Sequence, residues 1–216
     1  TTITITPDAT SADVSLTVTG GNSIDIATAV SSSSTGKLTV DASGMTAQAA
    51  GTTTFDIASV SLGTAGTTTI TGSGGDDNFS ASGSTLGNFA TTLNAGGGAD
   101  AIFTGTANDT ISGEAGNDTI NSGAGTDTVD AGAGDDTVII SADTNLSALD
   151  SIAGGVGTDT LQLAADMTDA AATLSKASGF EVLNLSAGAS DTITMSNFTN
   201  NQTFTRIDYA EGGGNT

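Results

Sequence analysis

The sequence predicts an all-β protein, a parallel β-solenoid that stacks continuously along the chain. Three observations predict it. A nine-residue repeat occupies the middle of the chain, and short runs of β-branched residues separated by Gly, Ser and Asn lie on both sides of it. The sequence also contains only one proline, Pro7, the residue type that would interrupt a ladder of strands.

Residues 1–71 are predicted to form Thr-rich solenoid coils without the acidic repeat. This region reads as strands and turns, for example VSLTVTG at 14–20 and LTVDASG at 38–44. The second of these resembles DTVDAGAG at 127–134 but lacks the leading aspartate. We therefore expect coils of the same solenoid without the same metal chemistry.

Residues 72–162 contain seven copies of a repeat with aspartate at position 6 and an apolar residue at position 8. The aspartates are Asp77, Asp100, Asp109, Asp118, Asp127, Asp136 and Asp159. The apolar residues are Phe79, Ile102, Ile111, Ile120, Val129, Val138 and Leu161. The aspartates are nine residues apart except at two intervals of 23, one turn of 18 plus five. We expect a bulge or an enlarged coil at 81–94 and at 140–153.

Each repeat has the composition of half a flattened coil, with six small turn-forming residues and three extended ones. Two repeats complete one turn, and position 8 points inward because side chains alternate along a strand. Ile111 should then stack near Val129, and Ile120 between Ile102 and Val138. Alternate aspartates should line opposite edges of the roll.

The stacked aspartates require a counter-charge. Carboxylates about 4.8 Å apart on successive coils repel by about 3–4 kcal/mol per pair at an effective dielectric near 20. Calcium suits these sites because it accepts 6–8 oxygens from carboxylates and backbone carbonyls, and glycine-rich turns present such carbonyls. The candidate ligands are the seven repeat aspartates, Gly75, Gly98, Gly116, Gly125, Gly134, Gly157, Asn108 and Asn117.

The composition supports a need for metal and excludes several functions. Leu, Ile, Val and Phe make up 42 of 216 residues and the formal net charge is −21, values typical of disordered chains. The three basic residues, Lys37, Lys176 and Arg206, are too few for nucleic acid or anionic membranes. Without Cys or His there are no disulfides, imidazole or thiolate metal sites, or His-based catalysis. No segment is long and apolar enough to predict a membrane span.

Residues 163–216 are predicted to continue the solenoid with one short helical insert near 165–178. The segment FEVLNLSAGASDTITM returns to strand, turn and strand, with Asp191 and Ile193 in the same 6-and-8 relation. The chain is expected to be a truncated piece of a longer protein.

The repeat resembles the RTX nonapeptide G-G-x-G-x-D-x-U-x, a calcium-binding β-roll repeat. The resemblance covers about 72–162, although positions 1 and 4 are often Ala, Ser or Thr, as at Ala107 and Ala131. A second passage, GGVGTDTLQL…SGFEVLNLSAG at 154–188, resembles RTX-type surface-layer (S-layer) proteins of Gram-negative bacteria. This implies a protein secreted by a type I system that forms a lattice on the cell surface with several calcium ions. A polysaccharide anchor would then lie outside these residues.

Other interpretations remain open. In another class, the chain is a calcium-stiffened spacer or secretion module of a large adhesin or secreted enzyme. Ice binding through Thr arrays ranks last, because positions 3 and 5 vary too much for a flat lattice. Asp76 and Asp135, at position 5, fit a solvated carboxylate as well as a calcium ligand. The adjacent acids Asp76/Asp77 and Asp135/Asp136 do not predict a carboxylate pair for glycoside chemistry, because neighbouring residues on an extended segment face apart. We expect no enzyme activity.

Overall fold

The computed structural model describes residues 2–7, 13–21, 24–25, 36–46, 55–56, 66–80, 89–141, 150–163, 177–185 and 203–209. These residues form two nine-stranded sheets. The first sheet contains β1 (Thr2–Pro7), β2 (Val14–Gly20), β4 (Leu38–Met45), β6 (Thr68–Thr71), β8 (Thr91–Asn94), β10 (Thr110–Ser112), β12 (Thr128–Ala133), β14 (Ser151–Val156) and β16 (Ala177–Ser178). The second contains β3 (Ile24–Asp25), β5 (Phe55–Asp56), β7 (Asp77–Ser80), β9 (Ala101–Phe103), β11 (Thr119–Asn121), β13 (Thr137–Ile140), β15 (Thr160–Leu163), β17 (Val182–Leu185) and β18 (Arg206–Tyr209).

The chain alternates between the two sheets from β2 to β17, so that one strand of each sheet makes one coil. Within each sheet these strands pair in parallel with the strand of the next coil. This is the parallel solenoid that the repeat predicts, and the predicted fold class is confirmed.

The first strand departs from this pattern. β1 pairs antiparallel with β2, with Thr2 opposite Thr19 and Pro7 opposite Val14. The short connection between the two strands favours a hairpin, because a parallel pair needs a crossover of a dozen or more residues. The stack therefore begins with an antiparallel hairpin.

The apolar core lies between the two sheets and is built from position 8. Ile111 pairs with Leu93 and Val129, and Ile120 pairs with Ile102 and Val138, as the spacing predicts. The position-8 side chains of the repeats are at most 2% exposed. The position-8 residues thus form one buried apolar column in each sheet.

The strand register is kept across both 23-residue intervals. Phe79 pairs with Ile102, and Val138 pairs with Leu161. Residues 91–94 and 151–156 lie in strands β8 and β14. Residues 81–88 and 142–149, where the bulge or enlarged coil is predicted, lie outside the described residues.

The predicted helix at 165–178 falls mainly on 164–176, outside the described residues. Ala177 and Ser178, at its end, form strand β16. Within the described ranges, no helix is long and apolar enough to cross a membrane.

Candidate metal centre

The repeat aspartates form two rows, one along each edge of the roll. The long row lies at the start of second-sheet strands and contains Asp77, Asp100, Asp118, Asp136 and Asp159. The short row precedes first-sheet strands and contains Asp109 and Asp127. All seven are at most 2% exposed. This is the division onto two edges that the nine-residue spacing predicts.

In the long row, one carboxylate oxygen of each residue accepts a hydrogen bond from the backbone N–H of the preceding residue in the row. The N–H groups of Asp77, Asp100, Asp118 and Asp136 donate to Oδ1 of Asp100, Asp118, Asp136 and Asp159 at 2.7, 2.8, 2.8 and 3.0 Å. The row continues beyond the repeats, because the N–H of Asp159 donates to Oε2 of Glu181 at 2.9 Å.

The short row contains a residue that the sequence analysis missed. The N–H groups of Thr91, Asp109 and Asp127 donate to Oδ1 of Asp109, Asp127 and Asp150, each at 2.9 Å. Asp150 is 1% exposed. It stands two residues before Ile152 and nine before Asp159, a 6-and-8 signal that could have identified it. The segment around it, NLSALDSIA, lacks the glycines of the repeat.

The short-row aspartates replace a backbone contact made in the coils without acid. The N–H groups of Val14, Leu38 and Thr68 donate to the carbonyls of Lys37, Thr67 and Ala90, at 2.9, 3.1 and 3.1 Å. Each acceptor is the residue just before the equivalent position of the next coil. From Thr91 onward the equivalent N–H donates its hydrogen bond to an aspartate carboxylate instead. The aspartate carboxylate thus accepts the backbone N–H of the preceding coil. The backbone carbonyl that accepts this N–H in the earlier coils is no longer needed for that hydrogen bond.

The second carboxylate oxygen distinguishes these groups from ordinary buried acids. Oδ2 is buried and has no hydrogen-bond partner in five of them, Asp100, Asp118, Asp127, Asp136 and Asp159. A buried polar atom without a partner costs about 1–3 kcal/mol, and a charged one costs more. Four such atoms lie in the long row and one, that of Asp127, lies in the short row, an arrangement that suits the binding of cations along these edges.

Burial makes these carboxylates hard to ionise. It raises the pKa of Asp100 to about 8 and that of Asp118 to about 7, with a smaller contribution from the carboxylates of neighbouring coils. It also raises the pKa of Asp127 and of Asp159 to about 6. A bound cation would reverse this effect by favouring the ionised form.

Position-4 glycines present their carbonyls along the stack. Gly98, Gly116 and Gly134 have φ values of +114°, +136° and +140°. A Cβ on Gly116 would collide with the carbonyl oxygen of Gly98, and one on Gly134 with that of Gly116. Glycine is therefore required for this close approach. The other glycines of the predicted ligand set, Gly75, Gly125 and Gly157, occupy the same position, the last two with φ of +138° and +154°.

Beside position 1 of the repeat, a backbone carbonyl oxygen lies close to a carboxylate of the long row. A Cβ on Gly113 would collide with both Oδ2 of Asp118 and the carbonyl oxygen of Ala131 in the next coil. The unpartnered carboxylate oxygen and a backbone carbonyl thus lie beside the same small space. Mixed carboxylate and carbonyl oxygens are the donors that calcium takes.

The position-5 side chains form a separate ladder on the surface. Oδ1 of Asn108 accepts the N–H of Thr126 at 2.9 Å, and Oδ1 of Asn117 accepts that of Asp135 at 3.0 Å. Asp76 and Asp135 accept the N–H groups of Ala99 and Thr158 in the same way, each at 2.9 Å. Asn108 and Asn117, both predicted as ligands, are exposed. The hydrogen bond from the backbone N–H to the position-5 side chain joins successive coils.

Asp77, the first acid of the long row, differs from the others. Ser73 donates its N–H to Oδ2 of Asp77 at 2.7 Å and its hydroxyl to Oδ1 at 2.8 Å. Both carboxylate oxygens therefore have protein donors. Asp77 begins the row without the unpartnered oxygen that marks the later members.

The described residues contain no cluster of three or more acidic, His or Cys side chains. This agrees with the geometry of the rows, because each coil contributes one carboxylate per edge and the other ligands must be carbonyls. Such a site fits calcium, with its flexible set of 6–8 oxygens, better than zinc, which prefers nitrogen and sulfur.

These features define a class of protein, a parallel β-roll whose glycine-rich turns hold rows of buried carboxylates. Residues 62–84, 87–111 and 103–138 match the family model of the RTX calcium-binding nonapeptide repeat. The chain thus carries RTX calcium-binding nonapeptide repeats. Comparison with curated proteins and with solved structures gives no match.

Proposed function

We propose that this protein is a structural, extracellular subunit of a bacterial S-layer, which folds and assembles when several calcium ions bind. The observation that carries the calcium requirement is the set of five buried Oδ2 atoms without a partner. Proteins with RTX repeats are typically secreted, which supports the extracellular placement. The resemblance of 154–188 to RTX-type S-layer proteins supports the lattice.

Calcium controls the folding equilibrium in this proposal. Without metal, the folded state must hold two rows of buried carboxylates at a formal net charge of −21. With metal, ligand binding to the native state alone stabilises it, and the stabilisation grows with calcium concentration. The chain would remain loose and exportable in the low-calcium cytoplasm and would fold outside the cell.

Self-association in this proposal has to use a mainly polar surface. Thr92, Thr110 and Thr128 form an exposed row across the first sheet. The exposed large apolar side chains in the described ranges are Val156 and Ile207, at 75% and 49% exposure. A lattice contact would therefore use polar strand faces and backbone edges.

We propose no catalytic role for this chain. Each row carboxylate from Asp100 to Asp159 already accepts a backbone N–H, and the rows lie inside the candidate metal site. The side chain of Arg206 pairs with Asp208 at 2.9 Å. The buried acids and this base are thus committed to structural contacts.

Calcium titration followed by circular dichroism and size-exclusion chromatography tests the proposal. We expect β-sheet signal to appear together with large assemblies, and both to disappear in EGTA. Electron microscopy of the assemblies should show an ordered two-dimensional lattice. Gain of β-sheet signal in a persistent monomer would refute the S-layer role and support a spacer or secretion module. An unchanged spectrum in EGTA would refute the calcium requirement.

A further inference from the structure

We propose an additional calcium site at the C-terminal end of the long row, formed by Asp159, Glu181 and the carbonyl oxygen of Gly179. Gly179 and Glu181 lie outside the nonapeptide repeats and outside the matched segments. This inference rests on the proposed calcium-dependent folding and assigns a binding role to the segment that follows the repeats.

The first observation is an unpartnered acid at this place. Asp159 is 0% exposed, and its Oδ2 atom is buried without a hydrogen-bond partner. Its Oδ1 accepts the N–H of Asp136 at 3.0 Å, so this oxygen belongs to the row. Oδ2 therefore needs a partner from the side of the last coil.

The second observation is a carbonyl that converges on the same space. A Cβ on Gly154 would stand 3.0 Å from Oδ2 of Asp159 and would collide with the carbonyl oxygen of Gly179. Gly113 has the same surroundings inside the repeats, where the oxygens come from Asp118 and Ala131. Gly179 thus supplies the carbonyl that a position-1 residue supplies in the repeat coils.

Glu181 takes the place of the next aspartate in the row. Its Oε2 accepts the N–H of Asp159 at 2.9 Å, as each aspartate Oδ1 does for the preceding coil. Its backbone is fixed on both sides. The N–H donates to the carbonyl of Asp159 at 3.0 Å, and the carbonyl accepts the N–H of Thr205 at 2.7 Å.

The length of the turn explains why this residue is glutamate. Ala131, whose carbonyl lies beside the row, is five positions before the row acid Asp136, whereas Gly179 is only two positions before Glu181. The shorter turn can close because Gly179 has a φ of +72°. The extra methylene of glutamate lengthens the reach of the carboxylate by one carbon. In the proposed site the Glu181 carboxylate, held at the N–H of Asp159, joins Oδ2 of Asp159 and the Gly179 carbonyl. Such a set of hard oxygens suits calcium.

The test is a count of bound calcium ions in the full chain by native mass spectrometry, with equilibrium dialysis against calcium chloride for affinity. Glu181→Gln keeps an oxygen that can accept the N–H of Asp159 but removes the charge. We expect it to bind one ion fewer than the unaltered protein. The matched control Glu114→Gln, at an exposed glutamate that contacts Asn94 and Ser112, should bind the full number.

An E181Q variant with the same ion count and affinity as the unaltered protein would overturn the proposal and assign Glu181 a purely structural role. Glu181→Asp, which keeps the charge but shortens the reach, should bind the full number with weaker affinity. If E181Q does not fold in calcium while Glu181→Asp does, the charge is required and the proposal holds. If neither variant folds, the coil requires the intact glutamate side chain for its structure, and the proposal fails.

The same experiment separates this inference from the proposed function. An unaltered protein that binds no calcium would refute both. An unaltered protein that folds with calcium while E181Q binds equally well would refute only the terminal site.

Discussion

Asp118→Asn should change stability in opposite directions with and without calcium. Asp118 is in the middle of the long row, where its Oδ1 accepts the N–H of Asp100 and its own N–H donates to Asp136, both at 2.8 Å. Asparagine can keep both bonds. Its amide nitrogen would replace Oδ2, beside the carbonyl of Ala131. The substitution thus removes one charge and one metal ligand but leaves the stacking contacts in place.

The magnitudes follow from the spacing of the coils. At about 4.8 Å and an effective dielectric near 20, each ionised neighbour repels Asp118 by about 3–4 kcal/mol. Removing the charge relieves both neighbours, and we expect a net gain of at least about 3 kcal/mol in the metal-free protein at high pH. With calcium, the loss of one partner of a buried ion pair should destabilise the protein by about 3–5 kcal/mol.

The assay measures folding by circular dichroism at a pH above the pKa of Asp100, which burial raises to about 8. In EGTA, folding is induced with trimethylamine N-oxide, which favours burial of surface. D118N should need less of this osmolyte than the unaltered protein, whereas in calcium it should melt at a lower temperature. The control Glu114→Gln removes one charge from an exposed side chain outside the rows. Destabilisation under both conditions, or equal behaviour of the two variants in EGTA, would refute the electrostatic reasoning.

Two further predictions concern pH and the glycine turns. Burial raises the pKa of Asp100 and Asp118 from 3.8 to about 8 and about 7, so the metal-free folded state binds more protons than the unfolded chain. Its stability should be greatest below about pH 4 and should fall as pH rises through 7–8, while calcium affinity rises. Osmolyte titrations in EGTA across this range check the sign, and a metal-free protein that is most stable at high pH would contradict it. Gly116→Ala should cost at least about 2 kcal/mol in calcium melts, because φ is +136° and the Cβ would meet the carbonyl of Gly98. Gly74→Ala is the matched control, since a Cβ there meets nothing within 4 Å, and equal melting of the two variants would show that the turn is not constrained.

The spacing of the repeat was sufficient to predict the stack, its core and its edges. A period of nine with an apolar residue at position 8 leaves one arrangement in which Ile102, Ile120 and Val138 share a column. The division of the acids between two edges follows from the same count, because successive repeats occupy opposite halves of a coil. These features depend on the period alone, which the sequence shows directly.

The roles of individual oxygens could not be predicted, because a motif names a residue but not its hydrogen-bond partners. Asp77 fits the repeat as well as Asp118 does, yet Ser73 satisfies both of its carboxylate oxygens. Asp150 lacks the glycines of the motif, and Glu181 lacks the aspartate. Both join the rows because the strand register places them there.

Two of the coils without a short-row aspartate carry threonine at the equivalent position, and its buried hydroxyl group affects stability. Thr68 stands where later coils have aspartate; it is 1% exposed, and its hydroxyl has no hydrogen-bond partner among the described residues. Thr91, one coil later, is also buried but donates its hydroxyl to the carbonyl of Phe89 at 3.0 Å.

Valine has nearly the shape of threonine without the hydroxyl, so Thr68→Val should stabilise the protein by about 1–2 kcal/mol. In a chain of this size this raises the melting temperature by about 2–8 °C. Thr91→Val removes a hydrogen bond that is made and should not stabilise. Because neither residue belongs to the acid rows, the difference between the two variants should be the same in calcium and in EGTA with osmolyte. A gain for Thr68→Val in calcium alone would mean that its hydroxyl is coupled to the metal sites and that the acid-free coils are not independent of them.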